Sequence, residues 1–439
     1  MLAPSRRKNL FLLALASASF LTPFIAIAVN IALPSMATAF NIDVAIANWV
    51  ANSFLISMAS TILLVGAVAD WIGKELIFIS GSMVFVITSF LIPYTNNFSF
   101  LIFLRCIQGL GAAMISGTAV AILTSIFPEK AGLVIGLNTA AVYTGTTLGP
   151  ILGGFLIDHA GWPSLFMFVG SVALVSFALT LPFVEFAKKD FGRKPYFQTL
   201  SIFSVSIALV IIGSTYVNSL YGILELSLGL IMLTSTLYIE FKRSLNLVKE
   251  IFERGIFLAY MTTLLSYTST YALSILFSNF LQIEGGFRAR EVGLILLAQL
   301  LPQMLLSPIA GYLTKKIDPN LLAAIGMILI ALGIGSSTII YKFLSLLVVS
   351  LILIGIGFAL FASPNTTRIM LGVPKQAFAS AASFLGLMRF LGQSLSTSIL
   401  TVLMLTLKPF IYSMEIALII YTFTATCGAA AAMLSKYSS

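Results

Sequence analysis

Long apolar runs broken by short polar stretches dominate the chain. A run of about 20 apolar residues is the length a helix needs to cross the hydrocarbon core of a bilayer. Fourteen such runs lie at 10–33, 50–68, 76–94, 98–126, 131–157, 164–184, 196–216, 220–239, 256–280, 292–313, 321–340, 343–363, 378–405 and 411–434. They lack strand alternation and are too long for barrel strands, so helices are predicted. The pattern therefore predicts an all-α polytopic membrane protein with fourteen transmembrane helices. An even number of crossings returns both termini to one side.

Composition turns this reading into an exclusion. Hydrophobic residues make up 59% of the 439 residues and charged residues 9%, against about 25% charged in soluble domains. So few charges cannot cover a soluble fold, and the lipid bilayer is the chain's main partner. The formal charge is +9, but its placement argues against nucleic acid as a partner. Of the 24 Lys and Arg, 18 fall on the N-terminal side of the spans and four (Arg288, Arg290, Lys342, Lys408) on the other. That asymmetry puts both termini in the cytoplasm, as expected of a multi-pass protein of the cell membrane. Arg105 and Arg389 fall inside spans. Ser5-Arg6-Arg7-Lys8 followed by a long apolar run reads as an uncleaved first span. Cys106 and Cys427 lie within apolar runs, so neither a disulfide nor a metal site is expected, and no cofactor is implied.

The two ends of the chain echo each other. Gly109 and Gly111 pair with Gly355 and Gly357 at an offset of 246 residues, and "FPEKA" (127–131) pairs with "VPKQA" (373–377) at the same offset. Gly66 pairs with Gly311 at 245, and Gly145 with Gly392 at 247. Four landmarks in register point to duplication. Residues 1–187 and 255–439 are then two six-helix bundles, and 188–254 a central insert with two extra spans. Two matched halves around a central site are the plan of a transporter, because rocking halves can expose one cavity to either side.

Three local patterns carry chemistry. The first cytoplasmic hairpin reads "GAVADWIGKE" (66–75), with Gly66 for close helix approach, Asp70 to face the next helix N-terminus, Gly73 to turn the chain and Lys74 for charge. Its spacing excludes a phosphate-binding P-loop, so ATP is not the direct energy source. The fourth span holds "RCIQGLGAA", with Arg105, Gln108, Gly109 and Gly111. A cation in a span marks function by default, or reaches to the surface when near an end. Its repeat partner, Leu351, is apolar, so the charge belongs to one half only. The fifth span holds "YTGTTLGPILGG" (143–154), in which Gly145, Gly149 and Gly153 recur every fourth residue beside Pro150 and Gly154, a smooth face for a tightly packed neighbour.

These patterns resemble motifs of the major facilitator superfamily. The hairpin is similar to G-x-x-x-D-x-x-G-[RK]-[RK], with Glu75 departing. Arg105, Gly109 and Gly111 resemble R-x-x-x-G-x-G. Gly145, Gly149, Pro150, Gly153 and Gly154 resemble the antiporter signature, which marks exporters more than importers. Fourteen spans with a central insert look like the drug:proton antiporter branch. The resemblance implies a secondary transporter of amphipathic or cationic compounds, with a small-molecule substrate, a coupling ion where transport is ion-driven, and a monomeric state. It implies a cavity lined by Asn30, Gln108, Tyr143, Tyr267, Tyr271, Asn365 and Arg389. Asn30, near the end of the first span, bonds neighbouring backbone or lines that cavity. Antiporters of the branch usually read L-D-x-T-V-V-N-V-A-L-P in the first span. This chain keeps the tail through Pro34 but has Ile25 and Ile27 at the Asp and Thr positions, so proton coupling loses its usual carrier. Glu225, Glu415 and Asp158 lie near the outer surface and are poor substitutes.

A uniporter or importer of a small metabolite is the alternative on the same fold. An intramembrane enzyme is not expected: a lone histidine, His159, excludes H-E-x-x-H and any Ser/His pair within a span, and no two Asp share mid-membrane depth. The topology is testable with a tag at Gly285. A membrane-impermeant reagent should label it only from outside, and labelling only from the cytoplasm overturns the assignment.

Overall fold

The computed structural model describes residues 4–127, 131–181, 197–242, 254–340, 343–373 and 378–436. The pairing of "FPEKA" with "VPKQA" and the basic residues Lys130, Lys188, Lys189, Arg193, Lys194, Arg243, Lys249, Lys342 and Lys375 fall wholly or partly outside them. Among the described residues the regular structure is helical, and thirteen helices are long and apolar enough to span a membrane.

In chain order the α-helices, short ones included, are α1 (Pro4–Phe40), the short α2 (Val44–Ala47), α3 (Trp49–Ile72), α4 (Lys74–Leu91), α5 (Phe98–Ile126), α6 (Ala131–Ala160), α7 (Pro163–Thr180), α8 (Phe197–Thr215) and α9 (Leu220–Lys242). Then follow α10 (Arg254–Thr270), the short α11 (Leu273–Asn279), α12 (Ala289–Leu313), α13 (Pro319–Ile340), α14 (Leu344–Leu371), α15 (Phe378–Thr406) and α16 (Phe410–Lys436). Caps are supplied where the pattern breaks: Asn97 Oδ1 accepts from Phe100 N–H at 3.1 Å to start α5, and Asp318 Oδ1 accepts from Asn320 N–H at 2.8 Å to start α13. Pro34 does not end the first helix as the run 10–33 implied. α1 continues to Phe40, because a proline in a membrane helix is tolerated where neighbours and hydroxyls satisfy freed backbone.

The run 256–280 is not a single helix. It breaks at Tyr271-Ala272 between α10 and α11, and a π turn over Phe280–Glu284 follows. The cause lies in the "SYTST" stretch and its partner helix. Hydroxyls of Thr268 and Thr270 bond back to carbonyls one turn earlier, at 2.8 Å each, which bends helices. The Ala272 N–H then leaves the helical ladder and donates to Ser396 Oγ of α15 at 3.0 Å. Ser396 is itself held, its carbonyl accepting from the Tyr421 hydroxyl at 2.7 Å.

The chain groups into two compact units, 1–204 with 286–293, and 205–285 with 294–439. Residues 188–254 do not form a unit of their own, and α9 and most of α8 group with the second unit. In the first unit α1 packs on α6 and α7, and α4 on α5 and α7. In the second, α10 packs on α15 and α16, and α13 on α14 and α16. These are the same partnerships displaced by one half. The glycines show why. Gly109 lies against the Phe54 carbonyl, and Gly355 against the Gln299 carbonyl. A Cβ on Gly111 would come within 2.9 Å of the Gly81 carbonyl, and one on Gly357 within 2.6 Å of the Gly326 carbonyl. Gly145 lies against the Phe20 carbonyl, and a Cβ on Gly392 would meet the Leu264 carbonyl at 2.6 Å. Each pair repeats at an offset between 244 and 247 residues, so the repeat legible in glycine spacing is a repeat of close backbone contacts.

The break in α10–α11 makes a prediction. Ser396→Ala removes the acceptor for a buried N–H and should cost about 1–3 kcal/mol. The readout is a lower melting temperature in detergent, with Ser396→Thr retaining most of the stability.

Candidate functional site

The hairpin between α3 and α4 is built around Gly73, whose φ of 114° is strained for any residue with a Cβ. Gly73 N–H closes α3 on the Ala69 carbonyl at 2.9 Å. Across this turn Lys74 Nζ reaches Asp70 Oδ1 at 3.3 Å, and both side chains are exposed. Such a pair adds little stability. Its use lies in placing one charge of each sign at the tip of a tight turn. Gly66 is half-buried one turn before Asp70.

Arg105 does not reach outward to the surface. It is 0% exposed, held within the first unit by three helices besides its own. Its Nε–H donates to the Val50 carbonyl of α3 at 2.9 Å, and Nη1 donates to Gln108 Oε1. Gln108 Nε2 passes the network on to Ser89 Oγ of α4 at 2.7 Å, and Ser89 donates to the Phe85 carbonyl at 2.6 Å. The guanidinium lies 4.4 Å from the ring centroid of Phe54 and 5.7 Å from that of Phe166 on α7. Carbonyl and aromatic faces thus take the place of a carboxylate around a buried cation. Val50, Ser89, Phe54 and Phe166 are ordinary span residues, and nothing in their spacing marks them as partners of Arg105.

The glycine face of α6 packs on α1. Gly145 meets Phe20, Gly149 would place a Cβ 3.1 Å from the Phe24 carbonyl, and Gly153 one 2.9 Å from Ala28 Cβ. Steps of four residues on both helices keep the two in parallel register. The α1 residues touched are those just before and within "FIAIAVNIALP". Ile25 there is 0% exposed and Ile27 is half-buried. The other face of α6 meets residues 286–293, which group with this unit. A Cβ on Gly154 would come within 2.5 Å of the Ala289 carbonyl, and Gly293 lies against the Pro150 carbonyl. Asp158 Oδ2 accepts from Arg290 N–H at 3.1 Å, and Glu291 Oε2 accepts from Arg288 N–H at 2.8 Å, so the start of α12 is capped by its own residue and by α6.

In the second unit Arg389 is half-buried on α15 and hydrogen-bonds the Tyr267 hydroxyl of α10. Its guanidinium lies 4.5 Å from the Phe390 ring centroid. Tyr267 packs edge-on against Phe358 at 5.4 Å. Asn365 is spent differently: its Nδ2 donates to the Ala259 carbonyl and to Thr263 Oγ1, both at 2.9 Å, tying α14 to α10. Asn30 and Gln108 are 0% exposed, Tyr271 is 7% exposed, and Tyr143 is half-buried. Tyr267 and Arg389 meet, Gln108 belongs to the Arg105 network, and Asn365 is a helix staple.

The Major Facilitator Superfamily model matches residues 15–261 and 259–436, so the chain belongs to that superfamily. It is a multi-pass membrane transporter and not an enzyme. It is similar to the riboflavin transporter RibZ of Clostridioides difficile, 27% identical over 379 residues that cover 84% of this chain and 82% of that protein. It is also similar to the multidrug export protein EmrB of Escherichia coli, 25% identical over 421 residues, covering 89% and 78%. The multidrug resistance protein Stp of Mycobacterium tuberculosis is 27% identical over 410 residues, covering 90% and 76%. The crystal structure of the POT family transporter PepTSo superposes with a TM-score of 0.75 over 100% of this chain and 99% of that one, at 15% identity, and so shares the fold.

The α6–α1 contact sets an order of sensitivity. Gly145→Ala should destabilise by about 1–3 kcal/mol through overpacking, and Gly149→Ala by less. Gly386→Ala, with nothing within 4 Å of the added methyl, should not lower the melting temperature.

Proposed function

We propose that the chain exports amphipathic small molecules across the cell membrane by alternating access, with both termini cytoplasmic and two duplicated six-helix bundles as the moving parts. The observation that carries the direction is the α6 face of Gly145, Gly149 and Gly153 against α1, beside Pro150 and Gly154. It has the antiporter-type pattern, and Stp and EmrB, whose names state multidrug resistance and export, match 90% and 89% of the chain. The hairpin of Gly66, Asp70, Gly73 and Lys74 is the element that changes between inward- and outward-open states. Of the residues expected to line the cavity, Tyr143, Tyr267 and Arg389 keep partial exposure and are the ones we assign to substrate contact. Transport of a small metabolite is the second reading, favoured by the similarity to a protein named as a riboflavin transporter.

Proton coupling through the first span is absent in this proposal. A carboxylate in an apolar site can hold a raised pKa and titrate near neutrality. Ile25 and Ile27 cannot. Vesicles reconstituted with the full chain test both points. A substrate gradient should drive movement of amphipathic probes, and an imposed pH gradient should leave the rate unchanged. Strong pH-driven exchange by the wild type that Ile25→Asp does not alter overturns the coupling assignment. Failure of every probe to move under any gradient overturns the transporter reading.

A further inference from the structure

Two cations lie deep in the helices, and among the described residues no carboxylate lies as deep. Asp70 and Asp158 are each the third residue from a helix end, and Glu225 and Glu415 are each the sixth residue of theirs. Arg389 is the twelfth residue of α15, about 16 Å along the axis from its start and farther from its other end. Both ends of α15 are thus about three or more turns away. Arginine does not deprotonate in proteins, so Arg389 remains charged there and cannot carry a proton.

The two cations are treated differently. Arg105 is enclosed completely, and its network accounts for its position. Arg389 is left open. Besides the Tyr267 hydroxyl, its Nε–H is buried with no acceptor among the described residues, and no carboxylate among them lies within 4 Å. The same face of α15 opens onto space: at Gly386, three residues before Arg389, an added Cβ would meet nothing within 4 Å. Gln393, four residues after it, is also half-buried on that face. A desolvated guanidinium with an unused donor beside open space is an incomplete site. An acceptor of negative charge completes it, because the planar fork can give two parallel N–H bonds to one anionic group. Tyr267 and the Phe390 ring hold part of the guanidinium and leave the Nε–H for the ligand.

We propose that Arg389, positioned by Tyr267, docks the anionic group of the transported molecule, so that this transporter moves amphipathic organic anions rather than cations. This rests on the transporter reading and names its substrate class. A permanently cationic compound meets like charge without a compensating carboxylate in a medium where that repulsion is weakly screened.

The test uses the full chain in vesicles with two permanently charged probes of similar aromatic body, naphthalene-2-sulfonate and (2-naphthylmethyl)trimethylammonium. The sulfonate should move and the ammonium should not. Arg389→Gln should raise KM for the sulfonate about tenfold, the order of one lost charge-assisted hydrogen bond. Arg389→Lys should recover part of that loss, and unchanged melting temperatures separate it from misfolding. Movement of the ammonium with or without the sulfonate, or an Arg389→Gln variant with unaltered sulfonate KM, overturns the anion assignment and leaves the transporter reading standing. If neither ion moves while other amphipathic probes do, the anion assignment fails alone. If nothing moves, both fail.

Discussion

Close approach of one helix backbone to another, made where a glycine faces a carbonyl, is the contact on which this structure depends. Helices in lipid gain nothing by hiding apolar side chains from each other, because the surrounding tails are equally apolar. They associate through dispersion contacts and short backbone approaches instead. Gly109 on Phe54, Gly111 on Gly81 and Gly145 on Phe20 supply these in one unit. Gly355 on Gln299, Gly357 on Gly326 and Gly392 on Leu264 supply them in the other. The side chains around these contacts differ freely between the halves, and the contacts do not. The same glycine spacing thus carries equivalent backbone contacts in each unit.

Polar groups obey the same economy of the bilayer, in which each must find a partner inside the protein. Hydroxyls bonded to their own helix satisfy most of them. Where the helix ladder opens at Ala272, a serine from α15 takes the freed N–H. Arg105 shows how a full charge is accommodated without an acid, by a carbonyl, an amide and two aromatic faces. Arg389 shows the contrast. It has a tyrosine partner, one aromatic neighbour in Phe390 and an unused donor, and it stands in the other unit. Enclosure makes the first a structural post, and openness makes the second a binding group.

The first helix joins packing to energetics. Its segment "FIAIAVNIALP" lies against the α6 glycine face, with isoleucines at positions 25 and 27. A packed glycine face and a titrating charge make separate demands on the chain. A glycine face needs only room for a neighbour, whereas coupling needs a group whose proton affinity changes with its surroundings.

The sequence by itself determined the solvent, the number of apolar runs, the duplication and the superfamily, because each follows from run length, charge placement or glycine spacing, all local properties of the chain. It also carried Arg105 and Arg389 as charges out of place. What surrounds those charges was decided only by tertiary structure. Nothing in a run of apolar residues tells that Val50 offers its carbonyl to Arg105, that Ser89 ends the chain of hydrogen bonds, or that Asn365 is committed to α10. The run 256–280 looks unbroken in sequence, since its interruption depends on Ser396, 124 residues from Ala272. Backbone carbonyls and hydroxyls are present in every span, and only packing selects which of them face a partner.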